Sequence, residues 1–287
     1  MTHQDPAMKH DDLAKRIDEL AEVATEATLP PDAMDVVDTL LDALESGALR
    51  AAQRGEDGVW QAVPWVKRGI LLAFRAGEIK KYRDGGLPFT DKHTFPVRRF
   101  SRKSGIRIVP GGSSVRRGAF LGAGVVCMPP MYVNVGAYVG AGTMVDSHAL
   151  VGSCAQIGER VHISAAAQIG GVLEPVNAAP VIVEDEVLIG GNCGVYEGTV
   201  VRARAVLASG VILTRGTPVF DLVRETVYRA TDDKPLEIPE AAVVVPGTRA
   251  IRSGWGAEQN LGLQAPVIVK YRDERTDLAT KLESWLR

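Results

Sequence analysis

VRRGAFLGAGVVCMPPMYVNVGAYVGAGTMVDSHALVGSCAQIGERVHISAAAQIG, Val115 to Gly170, places an aliphatic residue or a thiol at every sixth position. The series runs Val115, Leu121, Cys127, Val133, Val139, Val145, Val151, Ile157, Ile163 and Ile169. After one break it resumes as Val183, Ile189, Val195, Val201, Leu207, Leu213 and Val219. Four places after each comes a second inward candidate, mostly small or β-branched, such as Ala119, Val125, Ala137, Thr143 and Ala149. A period of six matches neither a helix nor a plain alternating strand. It matches a short strand plus a corner, repeated so that one side chain per face points inward, which is the hexapeptide pattern of a parallel β-helix. Three hexads close a triangular coil, so the seventeen hexads predict about six coils. Each coil buries its Val/Ile row only by stacking on the next. A β-sandwich with chance spacing is the competing architecture, and a phase that holds over ten hexads and then over seven more weighs against it.

Two interruptions stand out within the repeat. Glu174–Pro180 (EPVNAAP) makes Ile169 to Val183 fourteen residues instead of twelve, and a longer polar excursion runs from about Thr214 to Glu240. Loops inserted in a solenoid commonly build its binding face. Upstream, Asp11–Ala27 and Pro31–Leu44 have the spacing of amphipathic helices, the second stopped at Gly47. Trp60–Trp65 reads as a short extended piece and Val66–Phe74 as a third helix. Glu78–Ser104 reads as a linker with strands near Val97–Phe100. The expected organisation is a small N-terminal helical domain and linker over 1–104, a β-helix with inserted loops over 105–245, and C-terminal strands over 246–287. The helical domain is expected to cover the first coil, whose open backbone edge invites aggregation. Ala242–Val245 and Val267–Val269 are the expected last strands, and Asp277–Leu286 the closing amphipathic helix.

The chain has 287 residues, 30 of them glycine, with 6% aromatics and a formal net charge of −2. That balance argues against nucleic-acid or membrane-surface partners. The start has no apolar h-region and no run approaches a membrane span, so a cytoplasmic location is expected. Cys127, Cys154 and Cys193 fall within the repeat without metal-site spacing and read as structural thiols in a reducing compartment.

The polar residues that interrupt the repeat are the informative ones. Asp146 stands where hexads usually carry a small residue, in MVDSHALVGSCAQIG (Met144–Gly158). Glu197 takes an outward place in VYEG (Val195–Gly198), and Arg107 precedes the first hexad in RIVPGG (Arg107–Gly112). The repeat alone leaves each of them as a solvated face residue.

GTMVDSHALVGSCAQIG, MPPMYVNVGAYV (Met128–Val139), IGGVLEP (Ile169–Pro175) and PVIVEDEVLIGG (Pro180–Gly191) resemble the tetrahydrodipicolinate N-succinyltransferase family. SGALR (Ser46–Arg50), WVKRGILLAFR (Trp65–Arg75) and VIVK (Val267–Lys270) extend the similarity over about residues 35–287. The resemblance implies a left-handed β-helix, assembled as a homotrimer with active sites between subunits. It implies transfer of succinyl from succinyl-CoA, as co-substrate, to the amine of a ring-opened dicarboxylate on the diaminopimelate route to lysine. No permanently bound cofactor and no metal are expected. Asp146 and Glu197 match the family's acidic pair, and Arg107 matches its substrate-binding arginine. GGSSVRR (Gly111–Arg117) is one residue longer than the family pattern, a departure beside Arg107.

The chemistry gives these residues work. An amine attacks a thioester only when neutral, so a carboxylate near it can accept the proton, with Asp146 expected as base and substrate contact and Glu197 assisting. A forked cation such as Arg107 suits a dicarboxylate. Backbone amides at a corner such as Ser209–Gly210 are expected to hold the oxyanion. Coenzyme A carries several phosphate charges, for which Lys270 is the first candidate, followed by Arg249, Arg252 and Arg272. Ala208 and Ser209 are small enough to let the pantetheine arm approach the backbone. His148 and His162 are the rival bases, as in many hexapeptide acetyltransferases, but two histidines do not make a three-histidine metal site. A CoA-dependent acetyltransferase acting on a sugar amine or amino acid, and a non-catalytic assembly protein, are the alternative functions.

Overall fold

A computed structural model describes residues 10–84 and 87–273 of the chain. Every aliphatic position of the series is buried, as are nearly all the small residues four places on. The two-residue strands that carry them stack in parallel on three flat faces. Face one runs upward from Arg107–Ile108 through Val126–Cys127, Met144–Val145, His162–Ile163 and Leu188–Ile189 to Val206–Leu207. Face two begins at Ser114–Val115 and face three at Phe120–Leu121, each six strands high. This is a left-handed parallel β-helix of six coils. The register is a shift of eighteen residues per coil except at the interruptions, so that Met144 pairs with His162 and Tyr138 with Gln156.

The corners explain why so short a repeat can turn. The residue three places after the aliphatic position has positive φ at corner after corner: Gly118, Gly124, Gly136, Gly142, His148, Cys154, Arg160 and Ala166 in sequence. Glycine takes that left-handed region freely, and other residues hold it only at a cost. Each coil is therefore closed by the same bend, while its strands stay only two residues long.

The prism has three edges. The first joins faces one and two, the second joins faces two and three, and the third returns to face one. The helical part covers more than expected. Helices α1 (His10–Ala21), α2 (Ala33–Glu45) and α3 (Pro64–Ala76) meet the first coil from its side, where Leu41 packs on Gly118 and Glu45 accepts the Gly118 amide at 3.0 Å, and continue beyond it. They pack along the second edge, because Val135 and Cys154 there are apolar and share the helices' core with Leu41, Ile70 and Val66. Ala52 and Trp60, from a small antiparallel pair, continue the cover over Ile182 and Val200 on face three.

Other expectations are corrected. The stretch 78–104 contains an antiparallel hairpin, Ile79–Asp84 with Leu87–Lys92, held in part by Tyr82 stacking on Phe89 at 5.7 Å. Val97 makes only one bridge, to Arg116. Val219 is buried but does not stack on the coil: its strand pairs with Val267–Tyr271, and the top coil is completed by Glu237–Ile238 and Ala242–Val245. The final strand Val267–Tyr271 runs antiparallel to Ala242–Val245. A short helix, α4 (Gly254–Glu258), and a hairpin, Thr248–Ala250 with Gly262–Gln264, lie between those strands. The helix expected at Asp277–Leu286 lies outside the described residues.

Candidate functional site

The first edge is an unbroken column. The amide of Met128 donates to Val145, that of Asp146 to Ile163, that of Ser164 to Ile189, that of Gly190 to Leu207 and that of Ala208 to Val244. Asp146 and Ala208 therefore occupy the same place on the same edge, three coil steps apart, or roughly 14 Å at strand spacing. Asp146 is half-buried; its Oδ1 accepts the Ser147 amide at 2.7 Å and its Oδ2 lies 3.7 Å from His162 Nε2, one coil above. The next position along the edge is Ser147, Ala165, Gly191 and Ser209. The amides of Ala165, Gly191 and Ser209 have no acceptor among the described residues. A row of unspent donors one coil apart is a docking surface for carbonyl groups on an extended chain.

Arg107 and Lys270 lie toward opposite ends of the column beside this edge. Arg107 pairs with Val126, which pairs with Met144, so it sits two coils below Asp146's level. Lys270 pairs with Val243, above Val206, and is exposed with Nζ 3.3 Å from both Asp273 oxygens. Arg249 and Arg252 are exposed farther along the C-terminal segment. Arg272 belongs to a different edge. Its Nη1 donates to the Glu186 carbonyl at 2.9 Å and the Arg204 carbonyl at 3.3 Å, both at left-handed corners of the third edge. That guanidinium nitrogen closes a corner. The corner at Ser209–Gly210 is also corrected as an oxyanion donor. Gly210 spends its amide on Gly191 at 3.0 Å, and Ser209 stands three coils from Asp146. The unspent amide of Ala165, one coil above Ser147, is nearer.

Glu197 lies on the second edge, higher up the prism. Both chain interruptions leave the coil at this edge, one after Ile169 and the other after Leu213. With Val59–Ala62 they enclose a cavity of about 930 Å³ in which Glu197 is exposed. Glu197 Oε2 accepts the Arg215 amide at 2.8 Å. Arg215 stands eighteen residues later, one coil up, and its Nη2 donates to the Thr231 carbonyl at 2.6 Å, fastening the excursion over the cavity. The buried Lys67 reaches from α3 to the carbonyl of Ala178, a residue that lines the cavity, at 2.5 Å. Burial pushes the pKa of that ammonium down. The sequence reading missed Lys67, Trp60 and Arg215 as site-building residues. Only Arg215 had a signal, its eighteen-residue offset from Glu197.

The two carboxylates are thus not brought together within one chain. Asp146 does not line the Glu197 cavity, and the two lie on different edges at different heights. His148 is exposed at the first edge, and His162 faces outward from face one between Met144 and Leu188. The three cysteines are buried; burial pushes the Cys127 and Cys154 thiols up to about 12, which suits a packing role. Among the described residues no group of three metal-ligating side chains occurs, and no helix is long and apolar enough to cross a membrane.

Known proteins share this chain's sequence along most of its length. A profile for the N-terminal part of tetrahydrodipicolinate N-succinyltransferase matches residues 12–76, and one for the hexapeptide repeat of succinyl-transferase matches residues 180–215. A 2,3,4,5-tetrahydropyridine-2,6-dicarboxylate N-succinyltransferase of Rhodopseudomonas palustris (strain BisA53) is 41% identical over 260 residues, covering 88% of this chain and 89% of that protein. Proteins of the same name from Nitrobacter winogradskyi and Bradyrhizobium diazoefficiens are 42% and 43% identical, with the same coverage of both chains.

Proposed function

This chain belongs to the tetrahydrodipicolinate N-succinyltransferase family, and from that premise we propose how its two edges carry out the reaction. Succinyl passes from succinyl-CoA to the amine of tetrahydrodipicolinate in its hydrated, ring-opened form. The products are N-succinyl-2-amino-6-oxopimelate and CoA, on the diaminopimelate route to lysine. The amine attacks the thioester carbonyl once Asp146 has taken its proton, because a protonated amine has no lone pair to offer. The oxyanion that forms is held by backbone donors, of which the Ala165 amide is the nearest unspent one to Asp146 on its edge. Collapse breaks the carbon–sulfur bond, and the departing thiolate takes up a proton as CoA. Glu197 assists at the acceptor, by moving a proton in ring opening or by holding the amine, and Arg107 pairs with an acceptor carboxylate.

Succinyl-CoA lies along the first edge. Its arm meets the amides of Gly191 and Ser209, with little side chain at Ala208 and Ser209 to hold it off, and its phosphates meet Lys270. The observation that carries this reading is the continuity of that edge, from Asp146 past three unspent amides toward Lys270. Because Glu197 opens into a cavity on another edge, a complete site needs two copies of the chain, the first edge of one facing the cavity of the next. A homotrimer repeats that contact three times and closes on itself. The enzyme works in the cytoplasm, where its three thiols stay reduced.

Incubation of the full chain with succinyl-CoA and tetrahydrodipicolinate, following free thiol, tests the reaction. CoA release that needs the acceptor supports it. Release only from acetyl-CoA with a sugar amine replaces it with the acetyltransferase reading, and no binding of either acyl-CoA by calorimetry leaves only an assembly role. Sedimentation at a mass other than that of three chains removes the shared-site geometry.

A further inference from the structure

Tyr196 directly precedes Glu197, and its ring is folded back across face two instead of standing off the edge. A Cβ added to Gly194, two residues earlier, would lie 2.4 Å from Tyr196 Cε2 and 3.0 Å from its hydroxyl oxygen. A Cβ added to Gly170, one coil below Tyr196, would lie 2.8 Å from its Cδ1. The ring therefore occupies a slot that exists only because both positions lack a side chain. The equivalent outward positions of face two carry Ser114, Tyr132, Leu150, Gln168 and Ile212, so Gly194 is the exception in its column.

The corner that follows is exceptional too. Among the described residues, Glu197 (φ +54°) is the one residue in the second place after a series position to have left-handed backbone; elsewhere that bend falls one residue later. Gly198, at the usual place, is left-handed as well (φ +73°). Two successive residues in this region redirect the chain, and a glutamate adopts it only when its surroundings insist. The two irregularities are contiguous, and both concern the carboxylate that faces the cavity.

We propose that Tyr196, seated in the Gly170–Gly194 slot, is a positioning residue that holds Glu197 in its left-handed conformation, with the carboxylate on the Arg215 amide and toward the acceptor. Its kinetic consequence rests on the acyl-transfer reading above. With the ring displaced, Glu197 relaxes to the ordinary φ of its counterparts in other coils, and its carboxylate leaves the Arg215 amide. The first edge is untouched by that change, so handling of succinyl-CoA is not altered.

The test uses the full chain. Tyr196→Ala is expected to lower kcat/KM for the acceptor about a hundredfold, the scale of a misplacement near 1 Å, with KM for succinyl-CoA unchanged. Gly194→Ala, which expels the ring, should give a similar loss. The Tyr196→Ala/Gly194→Ala double variant should be no worse than Tyr196→Ala alone, because the slot then has nothing to hold. Tyr196→Phe restores the acceptor kinetics. Losses that multiply in the double variant, or a Tyr196→Phe as damaged as Tyr196→Ala, overturn the proposal. A second arm needs no activity. Glu197→Gly is expected to melt higher than Glu197→Ala in the wild type, where both lose the Arg215 contact and only glycine releases the backbone strain, and lower than Glu197→Ala in the Tyr196→Ala background, where the strain is already gone and only glycine's entropy cost remains. The same order of those two variants in both backgrounds also overturns it. A wild type that releases no CoA with this acceptor sinks the acyl-transfer reading, and the Tm arm still decides whether Tyr196 holds Glu197.

Discussion

The first and second edges of the prism come from the same six-residue repeat and end as opposite kinds of surface. The first carries no insertion between Met128 and Ser209, so every coil presents the same place at the same height, and its spare amides form a straight row. The second receives both interruptions and the whole helical domain, and it becomes a walled cavity. A straight row of donors suits a long flexible arm whose own amide groups repeat. A walled cavity suits a compact acceptor from which water must be kept. A solenoid can thus divide two substrates between two edges by choosing where its loops leave the coil, without altering the coil itself.

The sharpest way to break this division is at the acids. Asp146→Asn keeps the shape and the acceptor for the Ser147 amide but loses the basicity. It should lower kcat by about a thousandfold, within the range of a lost general base, with the unfolding profile unchanged. A near-normal kcat removes Asp146 from the reaction and leaves the first edge as a CoA-docking surface alone. Glu197→Gln comes next. The amide oxygen can still accept from Arg215, so the corner is expected to survive while kcat falls by about a hundredfold. The division of labour predicts that KM for succinyl-CoA stays fixed in Glu197→Gln. A rise in that constant, measured by thiol release at saturating acceptor, would mean that the cavity also serves the CoA.

How much of this was legible in the sequence differs between the edges for a physical reason. The coils follow from a period, and a period survives in one dimension: Val145 and Ile163 are recognisably stacked because they are eighteen residues apart. The same count puts Ser164 above Asp146 and Arg215 above Glu197. The cavity follows from contacts that no period carries. Lys67 meets Ala178 across 111 residues, and Trp60 donates to Glu184 across 124. The helical domain was expected on the first coil because an open end is the obvious thing to cover. It meets that coil only from the side, at Arg117 and Gly118, and runs on along the second edge because Val135 and Cys154, both at outward places, give it an apolar footing. Arg272 was read as a phosphate candidate from its charge and its place near the C-terminal coils, and no period foretold that its Nη1 closes a corner of the third edge.

A smaller effect tests whether the row of amides on the first edge is used. Ser209→Pro deletes one donor from the row and nothing from the ladder, since the Ser209 amide makes no bond within the coil. Proline stands at the equivalent place in a lower coil, Pro129, and an unchanged unfolding profile checks that the Ser209 corner keeps its shape in the variant. Loss of one hydrogen bond of about 1 kcal/mol predicts a roughly five- to tenfold rise in KM for succinyl-CoA, with kcat and the acceptor constant little changed. If the acceptor constant moves instead, the two edges do not divide the substrates as proposed.

The mildest prediction concerns Lys270, where geometry and electrostatics pull apart. Its ammonium is exposed and shares Asp273, so its pull on a phosphate is that of a surface charge, strong in dilute buffer and screened in salt. Lys270→Ala should raise KM for succinyl-CoA by roughly two- to fivefold at low ionic strength, the size of a surface ion pair, and by almost nothing at 0.5 M salt, where the screening length is roughly 4 Å. Ser209→Pro, which removes a hydrogen bond and no charge, should keep its effect at both salt concentrations. The contrast decides whether the arm is held by the row and only steered by the cation. A Lys270→Ala defect that survives high salt would place the cation in direct, desolvated contact with the phosphates, and it would move the centre of CoA recognition from the edge to the terminal strand.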